Sequence, residues 1–416
     1  MYEGSGEGGS DAAPSCKALL ELPPELLQAI LLQLRCGVSL ARCEEVSCAM
    51  RAEVTMLLWR AEVLRRWGWL LRAASGPDAW KSLFVSLHTG VSARFRVIGG
   101  CQLESGGFLI DEDLSCAFAF DPSPRKNAWS SMPVPLVVRE MAAVVRIPSG
   151  GLVALGGTCP LIVDESIEWT SGKMRTLQSV ECFDGRTWSA MAPMSEKRCC
   201  SGAAVDSSGV IYAVGGGTSM YRGATCLRSV ERFQVDGGTV DARWLPAPPM
   251  LEARCGLGVA ISHETDRLFA FGGYAGAVSY LDTCESLPVG GSAAADARWT
   301  ALPRMSCRRA GPSADAGPDG RLYVVGGGPD GTREWKTMEA LDPRTDSWQT
   351  DLAQLQTGRH YNAGAFGPDG RLYVSGAFRH AGQLDTVERY DPRADKWELL
   401  PPIGFTVKFS AGAFTF

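Results

Sequence analysis

Six copies of one phrase follow one another along the chain after residue 95. Each copy is a short apolar run, then a pair of small residues, then a single tryptophan further along. The pairs, five of them Gly-Gly and the last Gly-Ala, begin at Gly99, Gly156, Gly215, Gly272, Gly326 and Gly376. The tryptophans are Trp129, Trp188, Trp244, Trp299, Trp348 and Trp397. Their spacing of 49 to 59 residues is typical of one supersecondary unit repeated in series, so it restricts the fold to a repeat architecture.

Each unit predicts a four-stranded antiparallel sheet. The apolar run before the glycine pair, as in VIYAVGG or RLYVVGG, has the pattern of a strand packed face to face with other sheets. A strand of small residues such as SGAAV precedes it, and a segment such as SVERF follows it. Glycine permits positive φ and close backbone approach, and we expect the tryptophan to cover that bare backbone. The strands are therefore a, b, c and d, with the glycine pair ending b and the tryptophan in d.

Over residues 95–416 these units resemble kelch repeats. The resemblance implies a mainly β fold, a six-bladed kelch-type β-propeller in which each sheet is one blade. The first unit has no strand of small residues before its glycine pair, whereas a surplus one, 409–416, follows the sixth unit. We expect this C-terminal strand to complete the first blade, because a closed ring leaves no open sheet edge.

The segment in front of the repeats has helical periodicity, with Leu26, Ile30 and Leu34 on one stripe. From Leu22 to Trp59 it resembles an F-box, although Met50 stands where that family usually has tryptophan. A helical cap for the propeller is the alternative. The resulting division is a disordered tail (1–17), a small all-α F-box domain (18–62), a helical linker (63–94) and the propeller (95–416).

An F-box docks on the Skp-type adaptor of a cullin-RING ubiquitin ligase, so the resemblance implies that adaptor and a cullin as partners. The residues it assigns to adaptor contact and internal packing are Leu22, Pro23, Leu26, Leu27, Ile30, Leu31 and Leu34. On this interpretation the chain is the substrate-recognition subunit of an SCF-type ligase, and its propeller binds the protein substrate. A ligase-independent kelch scaffold that binds a cytoskeletal or signalling partner is the alternative.

One face of the predicted ring carries basic and aromatic side chains. In antiparallel blades the b-to-c connections and the d-to-next-a loops emerge on the same side, which we call the rim face. Candidate substrate-binding residues there are Arg139, Arg198, Arg254, Arg309, Arg359, Tyr221, Arg222, Tyr274, Arg333, Trp335 and His380. Guanidinium groups form two-pronged hydrogen bonds with carboxylates and phosphates, so this set suits an acidic or phosphorylated segment.

A second role for the five repeated arginines stays open. Each unit after the first has a glutamate near the start of strand c, and these are Glu181, Glu231, Glu285, Glu339 and Glu388. The first unit has Phe118 at the glutamate position and Val407 at the arginine position, so both partners are absent together. Joint absence is what a pairing predicts, and five Arg–Glu pairs would satisfy buried charges without a ligand. The long b-to-c connection 159–178 is either a specificity element or a disordered bulge.

Composition and motifs favour a binding protein without chemistry of its own. A net charge of −5 gives no general attraction for nucleic acid, and no apolar run approaches the roughly 20 residues that span a bilayer. Some kelch-like propellers are copper oxidases with several histidines at one site. This chain has four, His88, His263, His360 and His380, and only the last two fall on the rim face. We therefore expect no catalytic residue, no metal and no cofactor.

Cysteine usage indicates a reducing compartment. The 14 cysteines include no C-x-x-C pair, and the N-terminus has neither the basic start nor the apolar core of a secretory signal. We expect mostly buried, reduced thiols in a cytoplasmic and/or nuclear protein.

Overall fold

The structure is a computed structural model of the chain. It describes residues 94–98, 101–103, 117–121, 128–160, 174–219, 225–235, 243–276, 279–289, 297–330, 333–367, 369–376, 385–403, 406–408 and 411–415. The predicted tail and F-box, and all of the predicted linker up to residue 93, lie outside the described residues. Those expectations stay predictions.

Strands make up the regular secondary structure of the described residues. In the first part of the chain they are β1 Arg94–Ile98, β2 Cys101–Leu103, β3 Ala117–Asp121, β4 Ala128–Ser131, β5 Ala143–Arg146, β6 Leu152–Leu155, β7 Thr158–Pro160, β8 Met174–Thr176, β9 Val180–Phe183 and β10 Trp188–Met191. In the middle they are β11 Gly202–Val205, β12 Val210–Val214, β13 Val230–Gln234, β14 Leu245–Ala247, β15 Gly258–Ser262, β16 Arg267–Phe271, β17 Cys284–Pro288 and β18 Thr300–Leu302. In the last part they are β19 Ala310–Ala316, β20 Leu322–Gly328, β21 Met338–Asp342, β22 Ser347–Gln349, β23 Ala363–Phe366, β24 Leu372–Ser375, β25 Val387–Asp391, β26 Lys396–Leu400, β27 Thr406–Lys408 and β28 Ala411–Thr415.

The predicted mainly β, six-bladed propeller is confirmed. Six four-stranded antiparallel sheets have the orders β28-β1-β3-β4, β5-β6-β9-β10, β11-β12-β13-β14, β15-β16-β17-β18, β19-β20-β21-β22 and β23-β24-β25-β26. We number these blades one to six. Their first strands contact one another in an unbroken cycle, β5 to β11, β15, β19, β23, β28 and back to β5, so they line the central axis.

The C-terminal strand completes the first blade, as the pattern predicts. β28 pairs antiparallel with β1 in a register that runs from Arg94 opposite Thr415 to Ile98 opposite Ala411. Just before it, β27 pairs with β2. The first blade therefore joins two parts of the chain that are far apart in sequence, and this pairing closes the ring.

Apolar side chains fill the boundary between each blade and the next. Tyr212 of the third blade belongs to the same buried cluster as Val259 and Trp299 of the fourth. Phe95 of the first blade packs in the same way with Tyr373 of the sixth. Four further clusters occupy the remaining boundaries. Both faces of a blade are thus covered, which explains why strands b read as continuous apolar runs.

The tryptophans connect neighbouring blades, and the expectation that they cover the glycine pairs is wrong. Each indole Nε1 donates to a backbone carbonyl oxygen at the end of the preceding blade, over 2.8 to 3.1 Å. The acceptors, for Trp129 to Trp397 in chain order, are Pro401, Pro133, Ala192, Pro248, Pro303 and Ala353. The backbone of the next blade occupies the space beside the glycines: a Cβ added to Gly215 would lie 2.7 Å from the carbonyl oxygen of Arg254.

Candidate functional site

Five arginines lie on the rim face, one in front of each blade from the second to the sixth. Each of them makes a similar set of hydrogen bonds within its own blade, which we call the Arg–Glu network. In the fifth blade, Arg309 Nη1 donates to the carbonyl oxygens of Gly326 and Thr337 over 2.7 and 2.9 Å. Its Nη2 donates to Thr337 Oγ1 over 2.9 Å and to Glu339 Oε1 over 2.7 Å, and its Nε donates to the same carboxylate oxygen over 3.0 Å. Every N–H of this guanidinium group therefore has an acceptor.

The other four arginines repeat this pattern. Each donates to the carbonyl oxygen of the first residue of the Gly pair, to a serine or threonine that precedes strand c, and to the glutamate of strand c. The ion pairs have N–O distances of 2.5 to 3.0 Å and are Arg139–Glu181, Arg198–Glu231, Arg254–Glu285, Arg309–Glu339 and Arg359–Glu388. The pairing that the sequence left open is thus present in all five blades.

Each glutamate also holds the loop that carries its arginine. In the fifth blade, Glu339 Oε2 accepts a hydrogen bond from the backbone nitrogen of Ser306 over 2.9 Å. The equivalent donors in the other blades are the backbone nitrogens of Leu136, Ser195, Leu251 and Gln356, over 2.6 to 2.7 Å. Burial acts to raise the pKa of Glu231, but hydrogen bonds from Ser195 and Arg198 outweigh it and lower that pKa below its usual value. The Glu231 carboxylate therefore stays ionised, and the five glutamates fix the d-to-a loops through these hydrogen bonds.

The backbones of Arg198, Arg254, Arg309 and Arg359 bind the preceding blade. The carbonyl oxygen of Arg309 accepts from the nitrogen of Gly273, over 2.8 Å, and its own nitrogen donates to the carbonyl oxygen of Leu281, over 3.0 Å. The side chains of all five arginines are 0 to 2% exposed. They hold neighbouring blades together and, in this conformation, present almost no surface to a partner.

The remaining rim candidates differ from one another in exposure. Arg333 is exposed, with 69% of its side chain accessible, and pairs with Asp330 over 2.8 Å. Trp335 is half-buried, and its Nε1 donates to the carbonyl oxygen of Arg308 over 2.9 Å. Tyr274 is half-buried near the central axis. The structure brings none of these three into the Arg–Glu network. Tyr221, Arg222 and His380 lie outside the described residues, as do the seven candidate adaptor residues between 22 and 34.

A ring of left-handed residues surrounds the central channel on the rim face. These are the residues two positions after each arginine, with φ between 50° and 63°, and they are Met141, Cys200, Gly256, Gly311 and Tyr361. The N–H of each of the last four donates to the carbonyl oxygen of the one before it, over 2.7 to 3.0 Å. A left-handed conformation costs a residue with a side chain roughly 1–2 kcal/mol. The hydrogen bonds between blades offset that cost.

The side chain of Tyr361 lies across the mouth of this channel. A Cβ added to Gly311 would lie 2.9 Å from Tyr361 Cγ, and one added to Gly256 would lie 3.0 Å from its hydroxyl oxygen. That hydroxyl also hydrogen-bonds with Tyr274, and burial raises the pKa of both phenols. The cavity inside, lined by small side chains, measures about 150 Å³. Ligand pockets usually measure roughly 300–1,000 Å³, so the outer surface of the rim face is the better candidate site.

Two exposed leucines on that surface were missed in the sequence analysis. Leu136 is 64% exposed and Leu251 is 51% exposed. Both lie three positions before an arginine, on d-to-a loops, where the other blades have Ser195, Ser306 and Gln356. When the loops are aligned on the arginines, this position is apolar in two loops and polar in the other three. That contrast is visible in the sequence and would have identified the two leucines. Both loops are anchored by the backbone hydrogen bond to the glutamate.

The long b-to-c connection of the second blade has an ordered base. β7 and β8 pair antiparallel, with Thr158 opposite Thr176 and Pro160 opposite Met174. Residues 161–173 lie outside the described residues, so the choice between specificity element and disordered bulge applies only to them.

Histidines do not cluster in the part of the chain that the structure describes. His360 is buried, with its Nδ1 3.7 Å from Glu334 Oε1. His263 lies in an a-to-b loop on the opposite face, and burial lowers its pKa. Among the described residues, no three or more His, Cys, Asp or Glu side chains are grouped to hold a metal ion. The same residues contain no helix long and apolar enough to cross a membrane.

Comparison with known families and proteins identifies similarity to kelch repeats. Residues 359–404 match the family described as Kelch motif, and this segment covers most of the sixth blade. Kelch-like protein 25 of Xenopus tropicalis is 29% identical over 211 residues, which are 48% of this chain and 30% of that protein. Kelch-like protein 34 of Homo sapiens is 27% identical over 169 residues, which are 39% of this chain and 24% of that protein. The matches thus span less than a third of the relatives' length.

A solved structure shows the same fold. The structure of YjhT superposes with a TM-score of 0.56 and 15% identity, and the match covers 74% of this chain and 98% of that one. At this identity the likeness concerns the fold alone. Together with the sequence matches, it supports a kelch-repeat protein built on a β-propeller.

Proposed function

We propose that this chain is the substrate-recognition subunit of an SCF-type cullin-RING ubiquitin ligase. Residues 18–62 dock on the Skp-type adaptor as an F-box, and the rim face of the propeller binds the protein substrate. Other subunits transfer ubiquitin. The contribution of this chain is proximity and orientation, with no bond made or broken by its own residues.

The observation that carries the binding role is the pair of exposed leucines on anchored loops. Leu136 and Leu251 each expose more than half of their side chain, while their own backbone nitrogens are held by Glu181 and Glu285. An exposed apolar side chain on a fixed loop loses little conformational freedom on binding, and burying a leucine contributes about 1.5–3 kcal/mol. Similarity to Kelch-like proteins supports a protein as the partner.

Exposed cations on other loops of the rim face suit a partner segment with acidic or phosphorylated residues. The five arginines of the Arg–Glu network are occupied, so direct contacts with anions would come from exposed cations such as Arg308 and Arg333. Exposed cations contribute more to specificity and association rate than to affinity. The acidic segment is therefore proposed as a secondary determinant, beside apolar contact with the leucines.

The ligase role rests on the sequence of the N-terminal segment. Leu26, Ile30 and Leu34 form an apolar stripe, and a helical unit of roughly 40 residues is too small to bury a good core alone. Such a stripe suits an adaptor surface. A ligase of this class is proposed to work in the cytoplasm and/or the nucleus, without a cofactor.

Co-purification tests the adaptor contact. Tagged full-length protein is compared with the variant Leu26→Glu/Ile30→Glu, which places two charges on the apolar stripe. We expect the adaptor and a cullin with the unchanged protein and at least tenfold less of both with the variant, at equal thermal stability of the propeller. Equal recovery of the adaptor with both proteins would refute the ligase role.

Matched substitutions test the rim face independently. Leu136→Asp/Leu251→Asp is compared with Leu399→Asp, because Leu399 is 53% exposed but lies in strand β26, away from the d-to-a loops. Proximity labelling with and without a ligase inhibitor should find a protein that accumulates under the inhibitor and that only the rim-face variant loses. A partner that is lost without accumulating would instead indicate the ligase-independent scaffold.

A further inference from the structure

Four cysteines lie on the rim-face side of the third and fourth blades. Cys199 and Cys200 precede strand a of the third blade, Cys226 precedes its strand c, and Cys255 precedes strand a of the fourth blade. Among the eight cysteines whose side chains the structure describes there is no disulfide. Cys199, Cys200 and Cys255 are buried, whereas Cys226 is half-buried and accessible.

Cys226 lies at the edge of its blade and contacts the next one. Its backbone forms an antiparallel bridge with Gly217, which follows strand b of the same blade. Its sulfur accepts a hydrogen bond from the backbone nitrogen of Gly276, over 3.3 Å, and Gly276 belongs to the b-to-c connection of the fourth blade. The sulfur therefore lies at the boundary between the two blades.

Cys255 reaches the same point from the fourth blade. A Cβ added to Gly217 would lie only 2.7 Å from Cys255 Sγ, so this thiol occupies the space that the missing side chain leaves. Gly217 is the backbone partner of Cys226, so Cys226 and Cys255 meet where the side chain of Gly217 is missing. Two cysteines that are well separated in sequence thus lie next to each other across the blade boundary.

We propose that Cys226 and Cys255 form a peroxide-reactive dithiol site, with Cys226 as the attacked residue and Cys255 as the resolving one. The Cys226 thiolate attacks one oxygen of hydrogen peroxide; the O–O bond breaks, hydroxide leaves and a sulfenic acid forms. The sulfur of Cys255 then attacks the Cys226 sulfur; the S–O bond breaks, the S–S bond forms, and the leaving hydroxyl departs as water with the Cys255 proton. The hydroxide takes up the proton that the Cys226 thiol released on ionising, so two thiols lose two electrons and one peroxide becomes two waters.

The surroundings of the two thiols make Cys226 the one that peroxide meets as a thiolate. The neighbouring Cys255 thiol and the hydrogen bond from the Gly276 nitrogen lower the pKa of Cys226 to about 6, although burial opposes them. The same thiol–thiol contact, together with burial, raises the pKa of Cys255. The accessible sulfur is thus the one that is a thiolate at pH 7, which is the property of peroxide-sensitive cysteines.

The disulfide would connect two elements of the rim face. It would tie the b-to-c connection of the third blade to the loop that carries Leu251 and Arg254 of the fourth. An effect on partner binding through Leu251 would rest on the proposed function, whereas the oxidation chemistry would not. The two are therefore tested by separate readouts.

The test uses full-length protein at pH 7, treated with hydrogen peroxide after removal of reductant. Digestion without reductant and mass spectrometry should identify a Cys226–Cys255 linked peptide, 2 Da lighter than the two free peptides together. Cys182 and Cys307 serve as internal references, because both are half-buried and burial raises their pKa values. The lower pKa of Cys226 gives it a larger thiolate fraction at pH 7 but makes that thiolate less nucleophilic. The balance of the two effects predicts that Cys226 reacts with peroxide about fivefold faster than either reference cysteine.

Three variants assign the roles. Cys255→Ser should leave Cys226 as a sulfenic acid that dimedone captures, and Cys226→Ser should abolish the linkage and the fast reaction. Gly217→Ala keeps both thiols but places a Cβ where Cys255 Sγ lies, so disulfide formation should slow at least tenfold while the thermal melt of the reduced protein stays similar. If Cys226 reacted no faster than the references, or if peroxide linked Cys255 to Cys199 or Cys200 instead, the proposal would be overturned.

Discussion

Replacing Arg309 by methionine tests how much one Arg–Glu pair stabilises the ring. The substitution keeps side-chain length and removes five N–H donors at once. It leaves Glu339, 1% exposed, with only the backbone nitrogen of Ser306 and the Cys307 thiol as donors, and it leaves the carbonyl oxygens of Gly326 and Thr337 without this donor. Removing one partner of a buried ion pair costs about 3–5 kcal/mol. We expect Arg309→Met to lower the free energy of unfolding by that amount.

Urea unfolding followed by tryptophan fluorescence measures the loss, with Arg344→Met as the control. Arg344 pairs with Asp342 over 2.9 Å, but 53% of its side chain is exposed. Exposed pairs contribute about 0–1 kcal/mol, so the midpoint of the control should hardly move. Equal losses in both variants would refute a structural role for the buried pair.

A second substitution separates the unpaired charge from the lost packing. In the Arg309→Met background, Glu339→Gln removes the negative charge and keeps an oxygen that accepts from Ser306. The double variant should be about 1–2 kcal/mol more stable than Arg309→Met alone, whereas Glu339→Gln alone should destabilise the protein. Additivity within about 0.5 kcal/mol would mean that the two side chains do not stabilise the fold as a pair.

Three further predictions concern the ring itself. Gly311→Ala should lower the free energy of unfolding in urea by about 2–4 kcal/mol, because φ is +63° and the added Cβ would lie 2.7 Å from a backbone nitrogen of the next blade. Gly185→Ala is the control: φ is +103° but the space around it is open, so the loss should be about 1 kcal/mol. Burial raises the pKa of Asp315 to about 6, so its folded form binds the proton more tightly than the unfolded chain does. Relative to Asp315→Asn, the unchanged protein should therefore lose about 1–3 kcal/mol as pH rises from 4 to 7, and parallel pH profiles would contradict this. Trp129→Phe removes the hydrogen bond from the indole nitrogen to the carbonyl oxygen of Pro401, which joins the first and sixth blades. Thermal unfolding should show a stability loss of about 1 kcal/mol, and an unchanged stability would mean that this bond does not form in solution.

Strand order and ring closure were predictable because each unit repeats one apolar pattern in one register. The pairing of arginine with glutamate could also be predicted, because the first unit lacks both residues together. Phe118 lies opposite Val97 just as Glu339 lies opposite Val324, so the strand register confirms that the two positions are equivalent. Whether the arginines face solvent or the blade boundary was not readable. A loop position has no periodicity that distinguishes the two.

Contacts across blade boundaries account for most of what the pattern did not show. The left-handed backbone of Met141 and Tyr361 has no compositional signal, since side chains other than glycine rarely adopt it. Gly256 and Gly311 at the equivalent positions were the available hints. The adjacency of Cys226 and Cys255 depends on the absent side chain of Gly217, which matters only after two blades are placed side by side.

The composition of the first blade sets an order for folding during synthesis. Because Arg94 pairs with Thr415, a chain emerging from the ribosome can assemble five blades before the strand that closes the ring exists. During that interval β1 has an unpaired edge, and an unpaired strand edge favours association with other chains. Premature termination anywhere before β28 would leave an open, association-prone product, and quality control should remove it.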